Sequence, residues 1–200
     1  MSKTKLFLIF IIFLFMTIII FNKQLLVFYS SLFIETKYQK SSDAVILLRG
    51  DANSIALKAK ELSSKSYFII DEKSISEKYS DMFLSEAQKK KIILNKHNID
   101  AKVLNSFLAV NRFDEALEVI KILKENNFSH ILLVGGTISS RRTKLVFEYM
   151  LNRSGFSNVK VDYACATTIP VDWYKKESYL IAHLLEPFMW LFYLGMLNRY

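Results

Sequence analysis

The sequence predicts an α/β protein: a Rossmann-like three-layer sandwich with a mostly parallel sheet, preceded by one transmembrane helix. Three observations carry this. Leu6–Phe21 is a continuous apolar run near the N-terminus. From Asp43 onward, short apolar runs of strand length alternate with segments of helical periodicity. The chain has 200 residues, enough for one domain plus an appendage. The division falls between residues 1–35 (cytoplasmic tip, anchor and juxtamembrane segment) and 36–200 (the α/β domain).

The anchor comes first. LFLIFIIFLFMTIIIF (6–21) carries no charge and one polar residue, Thr17. A span needs about 20 largely apolar residues. Leu6–Leu26 meets this if Lys23 reaches outward along its aliphatic stem. A cleaved signal peptide would end in a small-x-small site, whereas Asn22, Lys23, Gln24, Leu25 and Leu26 are bulky. A soluble core helix would be amphipathic, and this run is apolar all round. Lys3, Lys5 and the α-amine precede the span, and Lys23 alone follows closely. The positive-inside rule then puts the N-terminus in the cytoplasm and the domain outside it, in a single-pass protein.

The elements of the domain follow in order. AVILL (44–48) reads as a buried strand, and residues 51–62 as a helix with Ile55, Ala59 and Leu62 on one face. SYFII (66–70) is a second strand, residues 85–97 a helix and AKVL (101–104) a third strand. Asn111 can cap the next helix, with Asp114 at its third position. HILLV (130–134) is a strong strand, residues 141–152 a helix, VKVDYA (159–164) a strand, and a long helical stretch begins near Asp172. Strands alternating with helices argue for a parallel sheet covered on both faces.

Composition narrows the function classes. Apolar residues make up 52% and charged residues 23%, with 5 Gly and 2 Pro, which excludes collagen, linkers and intrinsic disorder. One cysteine excludes an intrachain disulfide framework and a Cys-rich zinc site. His97, His130 and His183 form no ligand pair at helical spacing, so no metal centre is expected. The net charge is +8, of which Lys3, Lys5 and Lys23 supply three. The remaining lysines are interspersed with acids, as on a solvated surface; a basic face toward anionic lipid is the functional alternative. Without a basic-aromatic stripe or reader motif, nucleic acid is not an expected partner.

In parallel sheets ligands bind beyond the carboxyl ends of the strands. The first strand ends in Arg49-Gly50-Asp51, and the fourth in Gly135-Gly136-Thr137 followed by Ser139-Ser140-Arg141-Arg142. Two glycines permit close backbone approach. Hydroxyls at a helix start suit an anion, and arginine grips phosphate with a planar fork. Only six of the 27 basic residues are arginines, so an adjacent pair is not simple basic composition. A tight turn, a capped helix and two surface arginines make the competing reading. Neither a Walker loop nor a GxGxxG fingerprint is present, and no cofactor class follows.

The order of these motifs resembles the SanA/YdcF/ElyC family, a bacterial envelope-associated domain of unknown function. VILLRGD (45–51) is similar to its first strand and glycine turn. NRFDEA (111–116) resembles its Asn-Thr-x-Glu-Glu-Ala, with Arg112 in place of Thr. VGGTISSRRTKLVF (134–147) resembles its Val-Thr-Ser-x-x-His-x-Arg-Arg-Ala-x-x-x-Phe through Arg141, Arg142 and Phe147. Trp173 followed by Glu186 resembles its tail. Ser139 stands at the family's histidine position, Ile55 at an arginine and Ser106 near an acid. The resemblance implies a Rossmann-like fold, an envelope role at the bacterial inner membrane and a polar pocket at the strand ends that Glu186 could face. The missing histidine leaves a binding relative or a divergent enzyme.

YLIAHLLEPFMWLFYLGML (179–197) is long enough for a second span. Glu186 near its centre would cost about 2.5–3.5 kcal/mol on insertion scales. A helix packed on the sheet is simpler, and an interfacial helix is a further alternative.

The expected function is to bind or process a phosphate-bearing small molecule or lipid-linked precursor, at a membrane-anchored envelope domain. Arg141 and Arg142 would clamp the anion, and Gly135, Gly136 and Thr137 would donate to it. Ser139 and Ser140 would add hydroxyls at the helix start, and Gly50, Asp51 and Asn111 would approach from neighbouring loops. Asp51 is the candidate general base if there is turnover. The alternative is a non-catalytic envelope factor working through protein partners.

Overall fold

The structure is a computed structural model that describes residues 23–35, 37–70, 85–104, 111–170, 172–197 and 199. The predicted transmembrane run Leu6–Phe21 lies outside the described residues, as does Ser106.

Five strands form one sheet: β1 (Ser41–Leu47), β2 (Ser63–Ile70), β3 (Lys102–Leu104), β4 (His130–Gly135) and β5 (Lys160–Cys165), in the order β3-β2-β1-β4-β5. Every pairing is parallel. The helices are α1 (residues 23–31), α2 (Ala52–Lys60), α3 (Glu86–Asn95), α4 (Arg112–Glu125), α5 (Ser140–Arg153) and α6 (Glu177–Leu197). A short 3-10 turn, Trp173–Lys175, precedes α6. This is an α/β fold of Rossmann-like layout.

Alternation along β1 and into Leu48 just after it divides the core. Ala44, Ile46 and Leu48 pack with residues of α4, α5 and α6, among them Val119, Phe147 and Tyr193. Val45 and Leu47 pack with Ile55, Ala59 and Leu94 of α2 and α3. Each fully buried Val, Ile or Leu contributes roughly 1.5–3 kcal/mol, so both faces of the sheet anchor their helix layers. The chain before β1 completes the α2–α3 face: Tyr38 packs against that cluster, and the Gln39 amide donates to the Asp162 carboxylate at 3.0 Å.

Side chains start three of the helices. Asp51 Oδ2 caps α2 through the Ser54 amide at 2.7 Å. Ser85 with Gln88, and Asn111 with Asp114, form capping boxes on α3 and α4. Ser139, at the head of α5, makes no such bond.

Helix α6 is the one described helix long and apolar enough to cross a membrane by length and composition. It packs against α5 and the 3-10 turn through a stripe of buried residues, His183, Glu186, Tyr193 and Leu197. Its start is later than the sequence suggests, because Trp173–Lys175 forms a separate 3-10 turn.

Candidate functional site

Strand order reverses between β1, which leads outward to β2 and β3, and β4, which leads to β5. Such a reversal leaves a crevice at the carboxyl ends of the two central strands. The loops the sequence singles out, 49–51 and 135–142, both emerge there.

A cavity of about 350 Å³ opens beside the end of β4, with Gly136, Thr137, Ser139, Thr167, Tyr179 and Glu186 among its lining. Gly136 is exposed and Ser139 half-buried. Ser139 makes no side-chain cap and lines this cavity, so the amino end of α5 lies beside it, a position that favours negative charge, while the Ser140 and Arg141 amides donate to the Thr137 and Phe33 carbonyls. Thr137 is less available, because its hydroxyl donates to the Thr167 carbonyl at 2.5 Å.

Gly135 lies beneath the loop. A Cβ there would come within 2.5 Å of the Tyr163 hydroxyl and 3.3 Å of Leu48. The Tyr163 hydroxyl donates to the Gly136 carbonyl at 2.8 Å and so holds the glycine turn down. Burial pushes the Tyr163 phenol well above its usual range.

The two arginines part company. Successive helical residues point about 100° apart. Arg142 turns inward and forms a bidentate pair with Glu186, Nε to Oε1 at 2.8 Å and Nη2 to Oε2 at 3.1 Å. Both are buried, and the guanidinium lies 4.6 Å from the Tyr193 ring centre. Arg141 turns toward the chain before β1, its Nη1 donating to the Leu32 carbonyl at 3.2 Å and its amide to that of Phe33. Ser140 does the same, accepting from the Glu35 amide at 2.7 Å. A joint clamp by Arg141 and Arg142 is therefore not formed, since each guanidinium has its own intramolecular partner.

A second cavity, about 270 Å³, lies at the ends of β1 and β2, lined by Arg49, Gly50, Asp51, Ile70, Glu86 and Lys90, with Ala87. Gly50 has φ +139°, a conformation that side chains rarely adopt. Asp51 serves as the α2 cap. The hydrogen bonds from Ser54 hold its carboxyl below the usual range, which weakens it as a base near neutral pH. Asn111 is committed to the amides of Phe113 and Asp114 and lines none of these cavities.

Two buried charges at the strand ends, Glu115 and Lys90, are not among the residues the sequence singles out. Glu115 is fully buried and accepts from Arg49 Nε at 3.1 Å and from Arg112 Nη1 at 2.5 Å. Burial alone would pull the Arg112 pKa down, but the Glu115 carboxylate raises it above its usual value. Lys90 is buried and donates to the Leu48 carbonyl at 2.8 Å. A signal was available: Glu115 shares a helical stripe with Val119 and Ile122, and Lys90 with Ala87 and Leu94.

Among the described residues no group of three or more His, Cys, Asp or Glu side chains is placed to hold a metal ion.

The fold defines the class: a parallel α/β protein of Rossmann-like layout with cavities at its switch-point loops. Comparison with protein-family models, curated proteins and solved structures returns no match.

Proposed function

We propose that this is a membrane-anchored bacterial envelope protein whose extracytoplasmic domain binds a phosphate-bearing small molecule or lipid-linked precursor. The observation that carries the reading is the α5 amino end without a side-chain cap, opening on the 350 Å³ cavity beside the glycine turn of β4. The Ser140 and Arg141 amides donate to the Thr137 and Phe33 carbonyls, so the helix dipole and the Ser139 hydroxyl are what favour an anion there, and the volume suits a small ligand. The likeness of residues 134–147 to the SanA/YdcF/ElyC motif supports it, as does the uncharged run Leu6–Phe21 ahead of the domain. In this reading the Arg142–Glu186 pair is the rigid back wall, and Ser139 with the glycine turn at Gly136 forms the anion seat.

A second reading, a non-catalytic factor acting through protein partners, draws on one observation. Asp51, Asn111, Arg142 and Glu186 are each held in a structural bond, so none is a ready acid or base.

The test uses the full chain in detergent. Thermal unfolding is followed with phosphate, nucleotides, nucleotide-sugars and isoprenoid phosphates. A ligand at 100 times its Kd stabilises by about 2.7 kcal/mol. Ser139→Asp is the informative variant: it caps α5, so the fold is kept or strengthened, while its charge repels an anion. A stabilising ligand whose effect disappears in Ser139→Asp supports the site. No shift with any ligand in the wild type overturns it and favours the partner reading.

A further inference from the structure

Of the sixteen large apolar side chains exposed among the described residues, thirteen fall between Leu25 and Leu32 or on α6. They are ordered. On α6 the most exposed are Ile181, Leu184, Leu185, Phe188, Leu191 and Phe192, which recur at the spacing of one helical face. On α1, Leu25 and Phe28, with Leu32 just beyond, repeat at the same spacing. The two helices touch: the Tyr29 hydroxyl donates to the His183 carbonyl at 2.7 Å, and Ser30 Oγ pairs with His183 Nε2 at 2.8 Å. The outcome is one large apolar surface on one side of the domain, of the kind that marks an interaction site.

Spanning by α6 does not fit the packing. At 21 residues, or ~31 Å, it has the length. Yet its other side is tied to the domain from His183 to Leu197, with Glu186 locked on Arg142. A helix fastened lengthwise to a hydrated α/β sandwich cannot cross the hydrocarbon core.

Charge placement speaks for lipid as the cover. From Leu180 to Leu197 the only charged residue is Glu186, and it faces inward. Exposed lysines or arginines stand at the margins: Lys23 at the start of α1, Lys175 and Lys176 before α6, flanked by Asp172 and Glu177, and Arg199 after it. That is the pattern of an apolar face in the acyl boundary with basic side chains at anionic headgroups. The chain agrees: Tyr29 follows the uncharged run by eight residues, about 12 Å of helix and at most about 28 Å of extended chain.

We infer that the shared outer face of α1 and α6 lies in the surface of the bilayer, so the domain is held against the membrane along α6. The inference rests on the reading of Leu6–Phe21 as an anchor, and the experiment separates the two. Full-length chain carrying Cys165→Ser is reconstituted in vesicles of phosphatidylethanolamine and phosphatidylglycerol. Single nitroxide labels go on Leu184→Cys, Phe188→Cys and Leu191→Cys, on Leu57→Cys and Leu117→Cys as exposed sites on α2 and α4, and on Ile12→Cys in the apolar run. Oxygen reports lipid contact and a water-soluble nickel chelate reports water contact.

The expected result is an oxygen-to-nickel ratio at 184, 188 and 191 several-fold above that at 57 and 117. Ratios at 184, 188 and 191 equal to those at 57 and 117, with label 12 in lipid, overturn the inference and leave the anchor standing. Label 12 in water overturns the anchor and the inference with it. Labels at 184, 188 and 191 shielded from both probes, with spin–spin broadening between chains, show a second copy on this face and overturn the lipid assignment.

Discussion

The hydroxyl of Tyr29 donates to the main-chain carbonyl of His183 at 2.7 Å, across 154 positions of sequence. The cause is Pro187. Within α6 the amide of residue 187 would normally bond to the carbonyl of residue 183, and proline has no N–H to offer. The orphaned carbonyl is taken by a side chain from α1. His183 is fixed at the same point: its Nδ1 lies 2.7 Å from the Tyr179 carbonyl, so Nδ1 carries the proton and Nε2 accepts from Ser30. Trp173 stacks on the imidazole at 3.8 Å. The segment leading to the predicted anchor is thus bonded into the domain at a helix defect.

Tyr29→Phe should lower stability by about 1 kcal/mol, the typical net worth of such a bond. In a Pro187→Ala background the helix supplies its own amide to the carbonyl, and the cost of Tyr29→Phe should fall toward zero. A double-mutant cycle of unfolding free energies measures this coupling. Equal cost in both backgrounds would show that the hydroxyl is not compensating for the proline.

The Arg142–Glu186 pair predicts a different signature. Removing one partner, by Arg142→Met or Glu186→Leu, strands a buried charge and should cost about 3–5 kcal/mol. Removing both together should cost much less than the sum. Denaturant unfolding of the three variants decides it; additive losses would mean that the pair is not an energetic unit. Loss of function in an Arg142 variant alone therefore says nothing about ligand contact unless stability is measured beside it.

Gly135→Ala should destabilise by roughly 1–3 kcal/mol through overpacking, since the new methyl meets the Tyr163 hydroxyl. Tyr163→Phe removes that oxygen at the expense of one hydrogen bond to Gly136. In the Tyr163→Phe background, Gly135→Ala should be milder. Thermal midpoints of the pair test this, and an undiminished loss would place the clash at Leu48 instead.

Asp43 sets an acid limit. It accepts from the Ser129 amide and hydroxyl and from the His130 amide, tying the start of β1 to the start of β4. Those bonds, with the Ser129 amide foremost, lower its pKa to about 2, against about 3.9 for a free aspartate. The folded state therefore binds the proton less readily than the unfolded one. The contribution is complete above about pH 5 and disappears as pH falls from about 4 through about 2. Asp43→Asn should remove roughly 1 kcal/mol at pH 7, solvent screening keeping it below the full value of the shift, and should flatten stability between pH 5 and 2. An unchanged acid limb in the variant would assign it to other carboxylates.

Much of the fold was legible because its determinants are local. The apolar runs at 44–48, 66–70, 101–104, 130–134 and 159–164 each fall on an observed strand, and the Asn111–Asp114 capping box forms as its spacing suggests. The site was legible only in outline. Gly135–Gly136 and Arg49–Gly50 do emerge at the switch point, since loop position follows from strand order. The roles of single side chains do not. Arg141 and Arg142 read as one clamp in sequence, but helical rotation sends one to the Leu32 carbonyl and the other to Glu186.

What the sequence determined by itself is the alternation of elements, the uncharged N-terminal run and the positions of turns and caps. Each rests on interactions within a few residues or on burial periodicity alone. Only the tertiary structure decided that Tyr29 completes a proline-broken turn of α6, that Glu115 holds two arginines, and that α6 has one face in the core and one left apolar and open. Those facts join residues far apart in the chain, and no local pattern encodes which distant group will satisfy a buried charge or an orphaned carbonyl.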